Sequence, residues 1–193
     1  MTHKPPSLIL NPHKKKELGI AVVGAGRIGS LRAQLAAEHP SVGFLAISDL
    51  DLGRARTLAD KVAAQCHAAN NLEVISRPEV NAVVVSTSES QHTEAVLAAI
   101  RAGKPVLVEK PIALSLADAD RIIAASEEAG VEVCVAYSRR YKERYLIAKE
   151  QIVQGRVGRV LACMARVYNS RSQALAMLKR NPGATPVVDA LTY

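Results

Sequence analysis

Gly24-Ala25-Gly26-Arg27-Ile28-Gly29 stands directly after an apolar run, Gly19 to Val23, and directly before a stretch with helical spacing, Arg27 to Glu38. A glycine in the first position permits a tight turn. One in the second lets a ligand approach the backbone, and one in the third allows close helix–strand contact. The chemistry such a turn serves is anion binding, because the first N–H groups of a helix and its partial positive charge receive a pyrophosphate. Followed by an acid at the end of the next strand, these six residues read as the cradle of a dinucleotide cofactor.

Asp49 is that acid, at the end of the second apolar run. A carboxylate there accepts hydrogen bonds from the adenosine ribose hydroxyls and repels a 2′-phosphate, which predicts NAD over NADP. Arg54 and Arg56 stand close enough to leave NADP open. The competing reading of Asp49 is a helix cap, shared with Asp51. Glu109-Lys110-Pro111 follows the fifth strand, at the edge where α/β sheets bind ligands. Lys110 can donate a proton or hydrogen bond to a substrate hydroxyl or carbonyl oxygen during hydride transfer. Glu109 is expected to hold that ammonium group, and Pro111 to fix the local backbone.

These residues need a scaffold, and the sequence supplies one. Short β-branched runs alternate with longer helical stretches, the pattern of βαβ units in a parallel sheet. Strands are expected at 19–23, 42–48, 66–68, 82–86, 105–108 and 131–136. Helices are expected at 27–38, 52–65 and 91–102, with Asn70 capping a brief one before Pro78 and Ser115 capping one that stops at Gly130. The expected fold is α/β, a Rossmann-type doubly wound parallel sheet followed by the incomplete start of an α+β substrate domain. After residue 137 a Tyr- and Arg-rich helix runs to about Gln154, and Val160 to Tyr168 reads as one longer strand. The division is a flexible leader at 1–17, a dinucleotide-binding domain at 18–137 and a partial C-terminal substrate and oligomerisation domain at 138–193. All five tyrosines lie beyond residue 136, which marks the boundary.

Composition narrows the function. Hydrophobic residues make up 49% of the 193, enough for a packed core. The net charge is +7, and basic residues gather in two clusters, Lys14-Lys15-Lys16 and Arg139-Arg140 with Lys142 and Arg144. Neither interleaves basic and aromatic residues along one stripe, so no nucleic-acid partner is expected. No apolar run reaches the ~18 residues of a membrane span, so no membrane partner is expected either. Cys66, Cys134 and Cys163 offer no CxxC pair and no disulfide framework, which suits a reducing cytoplasm and excludes a cysteine metal site. They read as small buried hydrophobes.

Taken together, the glycine turn, Asp49, Ser86-Thr87-Ser88 with His92, the Gly103-to-Pro111 block and Ser138-Arg139-Arg140-Tyr141 resemble the glucose-fructose oxidoreductase / inositol dehydrogenase (Gfo/Idh/MocA) family of NAD(P)-dependent oxidoreductases. The resemblance covers residues 18 to about 168, and the tail weakly. It implies that Lys110 lies near the nicotinamide and the substrate oxygen. Thr87 and Ser88 match the loop beside the cofactor, where proline is more usual than Ser88. His92 matches a histidine of that loop, the alternative being an ordinary residue at a helix N-terminus. Arg140 matches the arginine of an Asn-Arg-Arg-Phe-like stretch, with Ser138 in place of asparagine. Gly24, Gly26, Arg27, Ile28, Gly29, Asp49, Thr87, Ser88, His92, Glu109, Lys110 and Arg140 are thus the expected cofactor contacts.

Family members also carry an Asp-x-x-x-His pair on one helix face of the second domain. Asp189 and Tyr193 keep that spacing, with tyrosine in the histidine position, as in members resembling glucose-fructose oxidoreductase and dihydrodiol dehydrogenases. Lys110, Asp189 and Tyr193 are the expected catalytic residues. The implied activity is hydride transfer between nicotinamide and a polyol, sugar or related hydroxy/carbonyl compound, by a homo-oligomer where the C-terminal domain is complete. The second reading is a module that binds NAD without turnover. A partial second domain further predicts uncovered apolar surface around Val160 to Val167.

Overall fold

The computed structural model describes residues 18–164, together with 166, 168, 170–172, 175 and 179. The leader expected at 1–17 and the Asp189–Tyr193 pair lie outside the described residues. Six strands form one parallel sheet: β1 (Leu18–Val23), β2 (Val42–Ser48), β3 (Cys66–Ala68), β4 (Ala82–Val85), β5 (Val106–Val108) and β6 (Val133–Val135). Between and after them come α1 (Arg27–Glu38), α2 (Leu52–Val62), α3 (Asn71–Ile75), α4 (His92–Arg101), α5 (Leu116–Ala129) and α6 (Glu143–Val153).

The strand order is β3-β2-β1-β4-β5-β6, so the chain reverses its direction across the sheet between β1 and β4. In register, Ala21 pairs with Ala46 on one side and Val83 on the other. Crossover helices cover both faces, which is why the central strands read as unbroken apolar runs. Their side chains alternate between two cores. Ala21, Val23, Val83, Val85, Val106 and Val108 face α3, α4 and α5, meeting Val74, Ile75, Val96, Ile100 and Ile122. Val22, Leu45 and Ile47 face α1 and α2, where Ala33, Ala36, Ala55 and Ala59 leave room for close helix approach. Each fully buried Val, Leu or Ile contributes roughly 1.5–3 kcal/mol, so this alternation outweighs local propensity in fixing the strands.

The helix ends follow from capping chemistry. Asp51 accepts from the Arg54 N–H at 3.1 Å, Asn70 from Leu72 at 2.9 Å and Ser115 from Asp118 at 3.1 Å. The helix expected to run to Gln65 stops at Val62, because Ala63 turns left-handed (φ 51°) and sends Gln65 back to β2. Lys104 reaches across to donate its ammonium to the carbonyls of Ile75 and Arg77 at the end of α3. Leaving water pushes its pKa down from the ordinary lysine value.

Three expectations are corrected here. The strand expected over 160–168 is absent among the described residues of that stretch, because no described strand lies alongside to satisfy its backbone groups. The helix expected from 137 to about 154 is broken: a 3-10 turn covers Ser138–Tyr141, and α6 begins at Glu143. The cysteines are not uniformly buried, since Cys66 is half-buried and both Cys134 and Cys163 are exposed. No residue of α6 is buried, and Leu161, Met164 and Tyr168 lie more than four-fifths exposed. The described helices include none long and apolar enough to cross a membrane.

Candidate functional site

The glycine turn sits at the carboxyl end of β1, beside the reversal of strand order where open α/β sheets bind ligands. Its three glycines do different work. Gly24 has φ 99°, and a Cβ there would meet the Ser86 carbonyl oxygen at 2.6 Å. A Cβ on Gly29 would meet the Gly24 carbonyl oxygen at 1.8 Å, so these two glycines let the turn close on the sheet. A Cβ on Gly26 would meet nothing within 4 Å. That side of the turn is open space.

Gly26 is also the N-cap of α1 and makes no side-chain cap, and the first turn of the helix holds no acidic residue. Its leading N–H groups therefore have no side-chain cap or first-turn carboxylate competing for them, as an anion site requires. The buried hydroxyl of Ser86 has no hydrogen-bond partner among the described residues, close under the same turn. An open cradle with unclaimed donors fits a pyrophosphate. Arg27 is exposed and Ile28 half-buried at the rim.

Asp49 is only 7% exposed and holds the turn from the neighbouring strand. Its Oδ2 accepts from the Ala25 N–H at 2.8 Å, and its Oδ1 from the Asp51 N–H at 2.9 Å. The Arg54 guanidinium donates to the same Oδ1 at 2.9 Å. The cap of α2 is therefore Asp51, not Asp49. What the sequence did not reveal is that Asp49 is already bound by three donors. Past it, an open cleft of about 440 Å³ is lined by Leu50, Asn70, Leu72, Ala95, Ala98 and Arg101, among others.

On the far side of the strand reversal, Thr87 is half-buried and Ser88 exposed after β4. His92 opens α4 with 1% exposure, which excludes the ordinary surface role. Its Nδ1 lies 2.7 Å from the Pro111 carbonyl oxygen and its Nε2 3.3 Å from that of Thr87. The ring thus staples the loop after β4 to the loop after β5. Lys110 is half-buried at that second loop, before Pro111 and a cis peptide bond.

Glu109 has a partner that the sequence did not suggest. Its Oε1 accepts from Arg32 of α1, at 2.9 Å from Nε and also from Nη2. Arg32 went unnoticed in the sequence because its partner lies 77 residues away. Arg140, in the 3-10 turn after β6, is exposed and lies over the Tyr137 ring at 5.8 Å. The structure therefore brings the glycine turn, Asp49, Thr87, His92, Glu109 and Lys110 to one edge of the sheet. Among the described residues, no group of three or more His, Cys, Asp or Glu is placed to hold a metal ion.

A parallel six-stranded sheet with this order and a glycine cradle at its reversal defines a Rossmann nucleotide-binding domain. Residues 18–137 match the family model described as an oxidoreductase family with an NAD-binding Rossmann fold, and the chain belongs to that Gfo/Idh/MocA family. It is 34% identical over 140 residues to myo-inositol 2-dehydrogenase of Thermotoga maritima, covering 72% of this chain and 42% of that protein. It is 38% identical over 159 residues to inositol 2-dehydrogenase of Gluconacetobacter diazotrophicus, covering 80% and 47%. The crystal structure of GenD2 from gentamicin A biosynthesis in complex with NAD superposes with a TM-score of 0.68 at 31% identity, covering 72% of this chain and 40% of that one. The chain thus spans less than half the length of the curated relatives it matches.

Proposed function

We propose that this chain holds NAD across the β1–β4 reversal, and that its protein transfers a hydride between nicotinamide and a hydroxyl-bearing carbon of a cyclic polyol or sugar. The observation that carries the cofactor half is the open face of Gly26 over the uncapped start of α1. The substrate half rests on the inositol dehydrogenases among the relatives.

Gly24 to Gly29 would receive the pyrophosphate, Asp49 the adenosine ribose, and the cleft beside Leu50 and Leu72 the adenine. Thr87 and Ser88 would border the nicotinamide side. The cofactor supplies hydride acceptance and return. Lys110, at the carboxyl edge of β5, would donate a hydrogen bond or proton to the substrate oxygen. His92 would hold Lys110's loop in place rather than touch the cofactor, and Glu109 would do the same through Arg32. Arg140 would border the cofactor from the turn after β6.

Residues 138–193 would begin the substrate domain, with Asp189 and Tyr193 assisting proton transfer and the completed domain forming the homo-oligomer. Free cysteines without metal or disulfide spacing fit a cytoplasmic site of action. The test is NAD reduction followed at 340 nm over a panel of inositols and sugars, beside calorimetric NAD binding. Turnover of at least one cyclic polyol supports the whole reading. Micromolar NAD binding without turnover would leave the cofactor half standing and favour the non-catalytic module.

A further inference from the structure

Charge is placed unevenly along this chain. Residues 18–137 carry 10 Lys and Arg against 14 Asp and Glu, whereas residues 138–193 carry 11 against 3. The densest basic run is Arg139, Arg140, Lys142 and Arg144, with Glu143 as the one acid between 138 and 149. Strand pairing sets where that run begins. Val108 pairs with Val135, and the Ala136 N–H donates to the Val108 carbonyl at 2.8 Å. Continued two residues, the same register sets Tyr137 opposite Lys110. The basic run therefore starts one residue beyond the level of Lys110, at the carboxyl edge of the sheet.

These cations differ from those of the sheet in what they meet. Arg32, Arg54, Arg77 and Arg121 each reach a carboxylate, and Lys104 reaches two carbonyls. Arg140, Lys142 and Arg144 are exposed and form no ion pair among the described residues. Lys142 is the N-cap of α6 and gives that helix no side-chain cap. Arg140 lies over the Tyr137 ring at 5.8 Å and Arg144 over the Tyr145 ring at 5.0 Å. A ring holds a guanidinium by its face and leaves the N–H groups at its edge free to bind a carboxylate or phosphate. Four like charges within six residues repel one another, and an anion at this edge offsets that repulsion. Arg139 and Arg140 belong to the stretch that carries the family resemblance. Lys142 and Arg144 lie beyond it, and a neutral ring has no need of them.

We propose that Lys142 and Arg144 bind an anionic substituent of the substrate, a carboxylate or a phosphate, so that the polyol or sugar taken here is an acidic one. The inference rests on the reading of this edge as the site of a NAD-dependent dehydrogenase, and it names the substrate class. Arg144 supplies a planar fork for two parallel N–H bonds, and Lys142 a compact point charge. Arg139 and Arg140 add to the field that draws an anion to the edge. Lys110 serves the reacting oxygen, and the basic run serves the charged substituent.

Calorimetric titration of the full chain, saturated with NADH, tests this with matched ligands: glucose, glucuronate and glucose 6-phosphate, and myo-inositol beside its monophosphate. At low ionic strength at least one anionic ligand is expected to bind about tenfold or more tighter than its neutral parent. The gap should narrow at about 0.2 M salt, where exposed charges are screened. Glucuronate against the phosphate esters tells which anion the site takes. Lys142→Gln combined with Arg144→Gln is expected to close most of the gap. Lys149→Gln, which removes one exposed charge from the second half of α6, should leave it open. Neutral ligands bound as tightly as anionic ones, NADH binding with no anionic ligand bound, or a gap that survives the paired substitution overturns the inference alone. No NADH binding by the unsubstituted chain overturns the cofactor reading and the inference with it. Unchanged far-UV circular dichroism in the variants, expected for exposed side chains, ties the affinities to the site.

Discussion

Arg32 of α1 and Glu109 after β5 form an ion pair across the reversal of the sheet, with two guanidinium nitrogens on one carboxylate oxygen. The pair ties the helix whose N-terminus faces the open side of the glycine turn to the segment that presents Lys110. Its side chains are 25% and 16% exposed, so solvent screens it less than a surface pair. A double-mutant cycle of Arg32→Ala and Glu109→Ala, read by urea unfolding, is expected to give a coupling of about 1–2 kcal/mol. Additive single effects would show that the two residues do not hold each other.

The glycines of the turn should separate stability from binding. Gly29→Ala drives a Cβ into the Gly24 carbonyl and is expected to cost about 1–3 kcal/mol with a lowered melting midpoint. Gly26→Ala meets nothing in the protein, so its fold should survive while NAD affinity falls about tenfold or more. Differential scanning calorimetry and a cofactor titration read the two effects. Equal losses of stability in both variants would contradict the division.

His92 is expected to matter through the loops it joins. His92→Leu removes the ring nitrogens that face the Pro111 and Thr87 carbonyls, one of them a hydrogen-bond donor in the neutral ring, and should cost about 1–3 kcal/mol. His92→Asn carries an amide nitrogen near the place of Nδ1 and should recover part of that loss. Chemical denaturation of the two variants measures it, and equal destabilisation would mean that the Pro111 bond contributes nothing.

The sheet was legible in the sequence because burial on both faces writes itself as apolar runs of strand length. Val42–Ser48 and Cys66–Ala68 fall where the pattern predicted them, and Asn70 and Ser115 cap as their side chains predict. The glycine turn was legible for a similar reason, since few residues other than glycine tolerate its geometry. The partners of the charged groups were not legible. Arg32 meets Glu109, and Ala25 meets Asp49, through pairings between distant segments that only the strand order brings together. The stretch after Val153 misled for the opposite reason: Val160 to Tyr168 read as a strand, yet a strand exists only beside a neighbour.

Acid should weaken one helix in a defined way. Asp118 is held below the ordinary carboxylate pKa, first by the hydrogen bond from Ser115 and then by Arg121. The ionised form therefore adds stability above the unfolded pKa, and that share is lost as pH falls through the lower folded value. Melting midpoints of the unsubstituted chain and Asp118→Asn should differ at pH 6 and converge towards pH 3. A difference that persists unchanged at pH 3 would contradict the assignment.

Exposed apolar side chains along α6 and beyond it, among them Leu146, Ile147, Val153, Leu161 and Met164, predict association at high concentration. Multi-angle light scattering should show the mean mass rising with concentration. A constant monomer mass of 20.6 kDa would contradict it.

The central claim is that the open side of the turn between β1 and α1 binds the cofactor, and one titration tests it most directly. NAD is added to the unsubstituted chain and to Gly26→Asp in a calorimeter, with the unfolding midpoint of each measured alongside. The account predicts micromolar binding by the unsubstituted chain, abolished in Gly26→Asp by a carboxylate placed in the pyrophosphate's space, with both chains folded. No binding by the unsubstituted chain, or equal binding by both, would contradict it.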